Sequence, residues 1–174
     1  LFVGAGEPAL HSHFLKLVES AKRHKLQSTV YTNGTLFRKF GAEDLVNSGL
    51  TMIRYSLAEA APETYAARHP YLPSGIFEQN WHAIKKLAST RRSLHRKFPK
   101  LELCIPMDRD NMLHLDAMVD RAVAAGMDRI HFSVVIDFNQ ESLKPYMLTP
   151  QEIEVVREQL RRLRPQINSL GLDH

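Results

Sequence analysis

The chain has 174 residues, 44% of them hydrophobic and 24% charged, with a formal net charge of +4 and a pI near 9.3. That length can bury one full core and predicts a single domain, and the mild basic excess admits acidic ligands without marking a nucleic-acid binder. A lone cysteine, Cys104, excludes an internal disulfide and fits a reducing cytoplasm, and no apolar run is long enough to span a bilayer or to form a signal peptide.

Strand pattern over 1–3 runs into Gly4-Ala5-Gly6-Glu7-Pro8, a glycine turn that ends in a carboxylate beside a proline. Leu10, Phe14, Leu17, Val18 and Ala21 recur at helical spacing and predict a helix over about 11–25. A second strand is expected over 28–31, ending in Tyr31-Thr32-Asn33-Gly34. A short helix over 42–47 closes before Gly49, and a third strand covers 52–57. Pro62 starts a further helical turn; Pro70, Pro73 and Gly75 break it. Ile76, Asn80, Ala83, Ile84 and Leu87 then mark one face of a helix over 76–92. Strand 101–105 follows, and Asn111 is placed to cap a helix with the stripe Leu115, Met118, Val119 and Ala122, ended by Gly126. Strand 130–136 and the capping box Thr149-Pro150-Gln151-Glu152 complete the pattern.

Five strands, each followed by helical pattern, require parallel pairing with right-handed crossovers, in an open doubly wound sheet or in a barrel or part of one. The chain opens inside strand pattern without a start methionine and stops at His174, which predicts a piece of a longer protein.

The first two strand ends place two polar turns side by side on one rim, the edge at which parallel sheets bind ligands. Gly4-x-Gly6-x-x-Ala9 matches the dinucleotide fingerprint, so a dinucleotide-binding oxidoreductase fragment is one reading. Against it, Glu7 sets a carboxylate beside the expected phosphates, and the next strand ends without the acid that a ribose needs. Glu7 suits a cation, its direction restricted by Pro8. Thr32 and Ser56 are neutral and suit a carboxylate or hydroxyls, so a shared pocket between Glu7, Thr32 and Ser56 would take an amino acid or a derivative of one.

Gly6-Glu7-Pro8-Ala9-Leu10-His11 resembles the "GGEPLLH" stretch of radical S-adenosylmethionine (radical SAM) enzymes. Thr32-Asn33-Gly34 resembles their "TNG" strand end, and Ile53-Arg54-Tyr55-Ser56-Leu57 their fourth strand, with Ala58 where Asp is usual. Pro62-Glu63-Thr64-Tyr65, Arg68 and Asp110-Asn111 resemble the usual continuation. The resemblance implies an α/β fold: a partial (βα)6 TIM-like barrel, truncated, with residues 1–174 supplying parallel strands two to six. It implies S-adenosylmethionine as cofactor, its amino group at Gly6, Glu7 and Pro8 and its carboxylate or ribose at Thr32, Asn33, Ser56, Arg68 and Asn111. It also implies a [4Fe-4S] cluster whose three cysteines lie outside this chain, since Cys104 stands alone. The reaction implied is generation of a 5′-deoxyadenosyl radical that takes a hydrogen from an unidentified small-molecule or peptide substrate, with flavodoxin or ferredoxin as electron donor and no membrane or nucleic-acid partner. A degenerate, non-catalytic barrel scaffold is the third reading.

Other features have plainer explanations. His11 and His13 read as a helix-start surface, and no metal site is expected among them. Cys104 and Met107, Met112, Met118 and Met127 read as core filler. His131 reads first as a hydrogen-bonded core histidine, and as a substrate contact if its strand face points inward. Asp108, Arg109, Asp110 and Asp137 read equally as substrate contacts at the rim and as turn chemistry. Lys85 to Lys100 form a basic run that reads as a solvated helix end and loop.

Overall fold

The computed structural model describes residues 1–4, 6–135 and 141–169. Four strands form one parallel sheet in the order β1 (Thr29–Thr32), β2 (Met52–Ser56), β3 (Lys100–Met107) and β4 (Arg129–Val134). The helices before, between and after them are α1 (Phe14–Arg23), α2 (Thr35–Lys39), α3 (Ala42–Asn47), α4 (Pro62–Arg68), α5 (Ile76–Ser93), α6 (Leu115–Ala125) and α7 (Pro150–Ser169). Short 3-10 segments lie at Pro8–Leu10 and Glu141–Tyr146. The end of the strand expected over 130–136 and Asp137 lie outside the described residues.

The expected first strand contracts to one parallel bridge. The Phe2 N–H donates to the Thr29 carbonyl at 2.7 Å, and Tyr31 N–H donates to the Phe2 carbonyl at 3.1 Å. Phe2 alone finds a partner for its side chain, the edge of the Phe14 ring at 5.6 Å, while Leu1 and Val3 stay exposed. Residues 1–4 thus lie beside β1 as an edge, and β2, β3 and β4 follow in sequence order across the sheet.

Strand parity separates two chemistries. Val30, Ile53, Tyr55, Leu101, Leu103 and Ile105 are fully buried on the face that the helices cover. Each such side chain contributes about 1.5–3 kcal/mol relative to exposure. The opposite face, the inside of the partial barrel, carries the polar set. Tyr31, Arg54, Glu102 and Arg129 are register neighbours across all four strands. Arg54 Nε lies 2.7 Å from Glu102 Oε1, and its Nη1 donates to the Tyr31 hydroxyl. Arg129 Nε lies 3.8 Å from Glu102 Oε2. One step toward the rim, Ser56, Cys104 and His131 form the next register row. His131 is exposed on this inner face, the alternative to a core position.

The capping box forms as the residue types require: Thr149 N–H donates to Glu152 Oε2 at 2.7 Å and Glu152 N–H to Thr149 Oγ1 at 3.3 Å. Asn111 does not cap α6; His114 occupies that position. The basic run is not solvated throughout, because Arg91 is buried and bonds Asp128 in fork geometry at the opposite end of the sheet.

Candidate functional site

The C-terminal ends of the strands build one rim. Glu7 stands at its first corner. Its Oε2 accepts the Asn33 N–H at 2.8 Å and its Oε1 accepts the Ala9 N–H at 3.2 Å. One carboxylate therefore holds both turns, while each oxygen keeps a further lone pair. Gly6 beside it is exposed, and a Cβ there would meet no atom within 4 Å, so the turn leaves room for a ligand. Pro8 opens the 3-10 turn and faces the same hollow as Gly6 and Glu7.

The next corner is the turn after β1. Thr32 has the parity of Val30 and is buried; its hydroxyl accepts the N–H groups of Gly34 at 3.1 Å and Leu36 at 3.3 Å. That hydroxyl builds the turn. Asn33 is exposed and uses its Oδ1 on Thr35 N–H and Thr35 Oγ1. Gly34 has φ +101°, and a Cβ there would lie 2.3 Å from Asn80 Nδ2, so only glycine fits. Asn80 is wholly buried: Nδ2 donates to the Tyr55 hydroxyl at 3.2 Å, and Oδ1 accepts from Arg38 Nη1 at 2.7 Å. Burial pushes the Tyr55 phenol up, with Asn80 opposing, so it stays neutral.

The third corner joins the exits of β2 and β3. Ser56, of inward parity, is exposed there. Asn111 is buried, and its amide donates to the Ala58 and Pro106 carbonyls, both at 2.8 Å, while its Oδ1 accepts the Asp108 N–H. Arg68 reaches in from α4 and finds three carboxylates: Asp110 at 2.6 Å, Asp108 at 2.8 Å and Glu59 at 3.5 Å. Burial works against its charge, but bonds to Asp108 and Asp110 raise its pKa further. Burial also raises the Glu59 carboxyl, against the pull of His69 and Arg68.

A cavity of about 370 Å³ opens between these last two corners, lined among others by Asn33, Arg38, Ser56, Glu59, Arg68 and His69. Glu7 lines a different hollow, of about 390 Å³, with Gly4, Gly6, Pro8 and His11. In place of the single pocket expected between Glu7, Thr32 and Ser56 there are two cavities with no lining residue in common, linked through the Glu7–Asn33 bond, and Thr32 is buried. Sequence reading missed Arg38, Asn80 and Glu59. Asn80 was legible only as a polar residue on an otherwise apolar helix stripe.

The dinucleotide reading loses its geometry here. Its pyrophosphate needs a helix starting at the glycine turn, whereas α1 begins at Phe14 and the Ala9 N–H that follows the turn is taken by Glu7 Oε1. The residues present do not fit a four-iron cluster either. Among the described residues no three His, Cys, Asp or Glu side chains converge on a metal position. Cys104 is buried, with burial pushing its thiol up to about 12.

No family model matches the chain. Superposition on solved structures matches TYW1 with a lysine-pyruvate adduct bound (TM-score 0.63, 16% identity, 92% of this chain and 48% of that one). It also matches SuiB of Streptococcus suis bound to S-adenosylmethionine (TM-score 0.67, 14% identity, 92% and 35%). Both are radical SAM enzymes. The chain has the radical SAM fold. In sequence, it is 22% identical over 142 residues to the tungsten-containing aldehyde ferredoxin oxidoreductase cofactor-modifying protein of Pyrococcus furiosus. That match covers 82% of this chain and 39% of that protein, so the chain spans about two fifths of its curated relative. The neighbours share the α/β partial-barrel fold. No helix among the described residues is long and apolar enough to cross a membrane.

Proposed function

We propose that this chain is the S-adenosylmethionine-binding portion of a radical SAM enzyme, residues 1–174 forming one incomplete core. The observation that carries the reading is the Glu7 carboxylate fixed against the Asn33 N–H, a bond between a residue of one rim cavity and a residue of the other. Glu7, with Gly6 and Pro8, would hold the ligand's ammonium; Asn33 and Ser56 would meet its ribose or carboxylate. Thr32, Arg68 and Asn111 hold the walls in place through the bonds given above.

Bound there, S-adenosylmethionine supplies hydrogen-abstracting radical chemistry. This chain's residues bind and orient it; they offer no ligands for the [4Fe-4S] cluster, which the reading assigns to cysteines outside the chain. The substrate is unassigned. SuiB has been seen with a precursor peptide, SuiA, in a structure that superposes at TM-score 0.62, which keeps a peptide beside small molecules as the class to test here. Flavodoxin or ferredoxin as electron donor and a cytoplasmic setting belong to the same reading, since cluster thiolates must stay reduced.

Calorimetric titration of the chain with S-adenosylmethionine and, separately, with NAD tests the proposal. Saturable binding of the sulfonium compound and none of the dinucleotide is the expected result; the reverse pattern, or no binding of either, overturns it.

A further inference from the structure

Two guanidinium groups line the cavity that holds Ser56, and their electrostatic situations differ. Arg68 lies within 3.5 Å of Glu59, Asp108 and Asp110. Three carboxylates against one guanidinium leave that corner with excess negative charge even if His69, 3.7 Å from Glu59, is protonated and shares the load. An incoming carboxylate would have to compete with three already in place, two of them on side chains only 4% exposed.

Arg38 is the opposite case. Its hydrogen-bond partners are neutral: Asn80 Oδ1 at 2.7 Å and Thr35 Oγ1 at 3.2 Å. It has no carboxylate within 4 Å among the described residues. The side chain is exposed at the cavity mouth, yet its direction is set from beneath by a fully buried amide. A guanidinium can only donate, so Asn80 must turn its oxygen to Arg38 and its nitrogen to the Tyr55 hydroxyl. Gly34 makes the space that this amide fills. A buried polar side chain, a glycine at positive φ and a buried tyrosine thus converge on orienting one unneutralised cation. Thr35, its other partner, bonds Asn33, and Asn33 bonds Glu7. A chain of bonds through Asn33 and Thr35 thus links the acid of the neighbouring hollow to this cation.

We propose that Arg38, oriented by Asn80, receives the carboxylate of the amino-acid end of the ligand in this cavity, and that Arg68 is a positioning residue. The inference rests on the S-adenosylmethionine reading. It reassigns the carboxylate contact that the family resemblance places on Arg68.

The test compares two ligands, S-adenosylmethionine and its decarboxylated analogue, by calorimetry on the full chain. Arg38→Gln is a surface change, and a matched melting temperature shows that it folds. The expected result is a loss of roughly tenfold or more in affinity for S-adenosylmethionine, as for a charge-assisted contact, with less than about twofold change for the analogue. Arg38→Lys recovers part of the loss, because it keeps the charge and lacks the fork. Arg68→Gln affects both ligands equally. Equal effects of Arg38→Gln on the two ligands, no effect on either, or a carboxylate-selective loss in Arg68→Gln overturns the assignment while leaving the proposed function intact. Absence of binding by the unaltered chain overturns the proposed function and this inference with it.

Discussion

Glu7 and Asn33 are 26 positions apart, and the carboxylate of one accepts the backbone N–H of the other at 2.8 Å. This bond makes the two loops one surface. It also shows that Glu7 has a structural duty apart from any ligand, since its second oxygen caps the 3-10 turn through Ala9.

Glu7→Gln separates those duties. A glutamine has one acceptor oxygen, so it keeps one N–H and sets its amide NH2 against the other. The half-buried donor left over costs about 1 kcal/mol of stability, the low end for an unsatisfied group. Loss of the anion removes the partner for the ligand's ammonium. Chemical denaturation should show the small loss, and titration with S-adenosylmethionine should show a weakening of at least about tenfold. Unchanged affinity with the stability loss intact would make Glu7 a scaffold residue only.

The two glycines of the rim predict opposite phenotypes. Gly34→Ala forces a side chain into positive φ and onto Asn80, and should destabilise by roughly 3 kcal/mol, combining left-handed strain with overpacking. Gly6→Ala meets open space at ordinary φ. It should leave the melting temperature within a degree or two, of the order of a neutral surface change, and weaken ligand binding through the space it occupies. A Gly6→Ala variant that binds normally removes Gly6 from the site.

Much of this arrangement was legible before any coordinates. The helix over 42–47 needed only Gly49 and its apolar pair, and the capping box at Thr149 and Glu152 is local chemistry that tertiary packing left alone. Thr32 alternates with Tyr31, so it shares the buried face of Val30, a parity that residue type alone does not reveal. Asn111 is a good cap by type, but the exits of β2 and β3 take its amide. Helix α2 was missed since five residues after Gly34 show no period. The Arg38–Asn80–Tyr55 chain joins residues on α2, α5 and β2, and only the packed fold brings them together.

Asp128 predicts an acid-sensitive foot of the sheet. Burial raises its pKa, but bonds from Arg91 and the Leu101 N–H, with the Arg91 and Lys100 charges, lower it on balance. A depressed folded pKa contributes stability that is present above the unfolded value of 3.8 and is lost as pH falls through the lower folded value. Asp128→Asn should therefore cost about 3 kcal/mol at pH 7, the range for leaving a buried charge unpaired, because Arg91 remains buried without its counter-ion. Urea unfolding from pH 7 to pH 2 checks it: the gap between variant and parent should close at the acid end. A constant gap would assign the loss to hydrogen bonding alone.

Glu59 has the opposite sign. Its folded pKa is raised, first by burial, with His69 and Arg68 pulling it back incompletely. The folded chain then holds the proton more tightly than the unfolded one. Stability from this group is fully present below the ordinary carboxylate value of 4.5 and is lost as pH rises through the folded pKa. Glu59→Gln should accordingly stabilise the chain at neutral pH, with the advantage shrinking as pH falls toward 4.5. Arg68 keeps Asp108 and Asp110 in the variant, so no cation is stranded. Denaturation midpoints of parent and variant at pH 4, 5.5 and 7 give the comparison. A variant less stable than its parent at pH 7 would show that the attraction of Arg68 and His69 for the Glu59 carboxylate outweighs its burial.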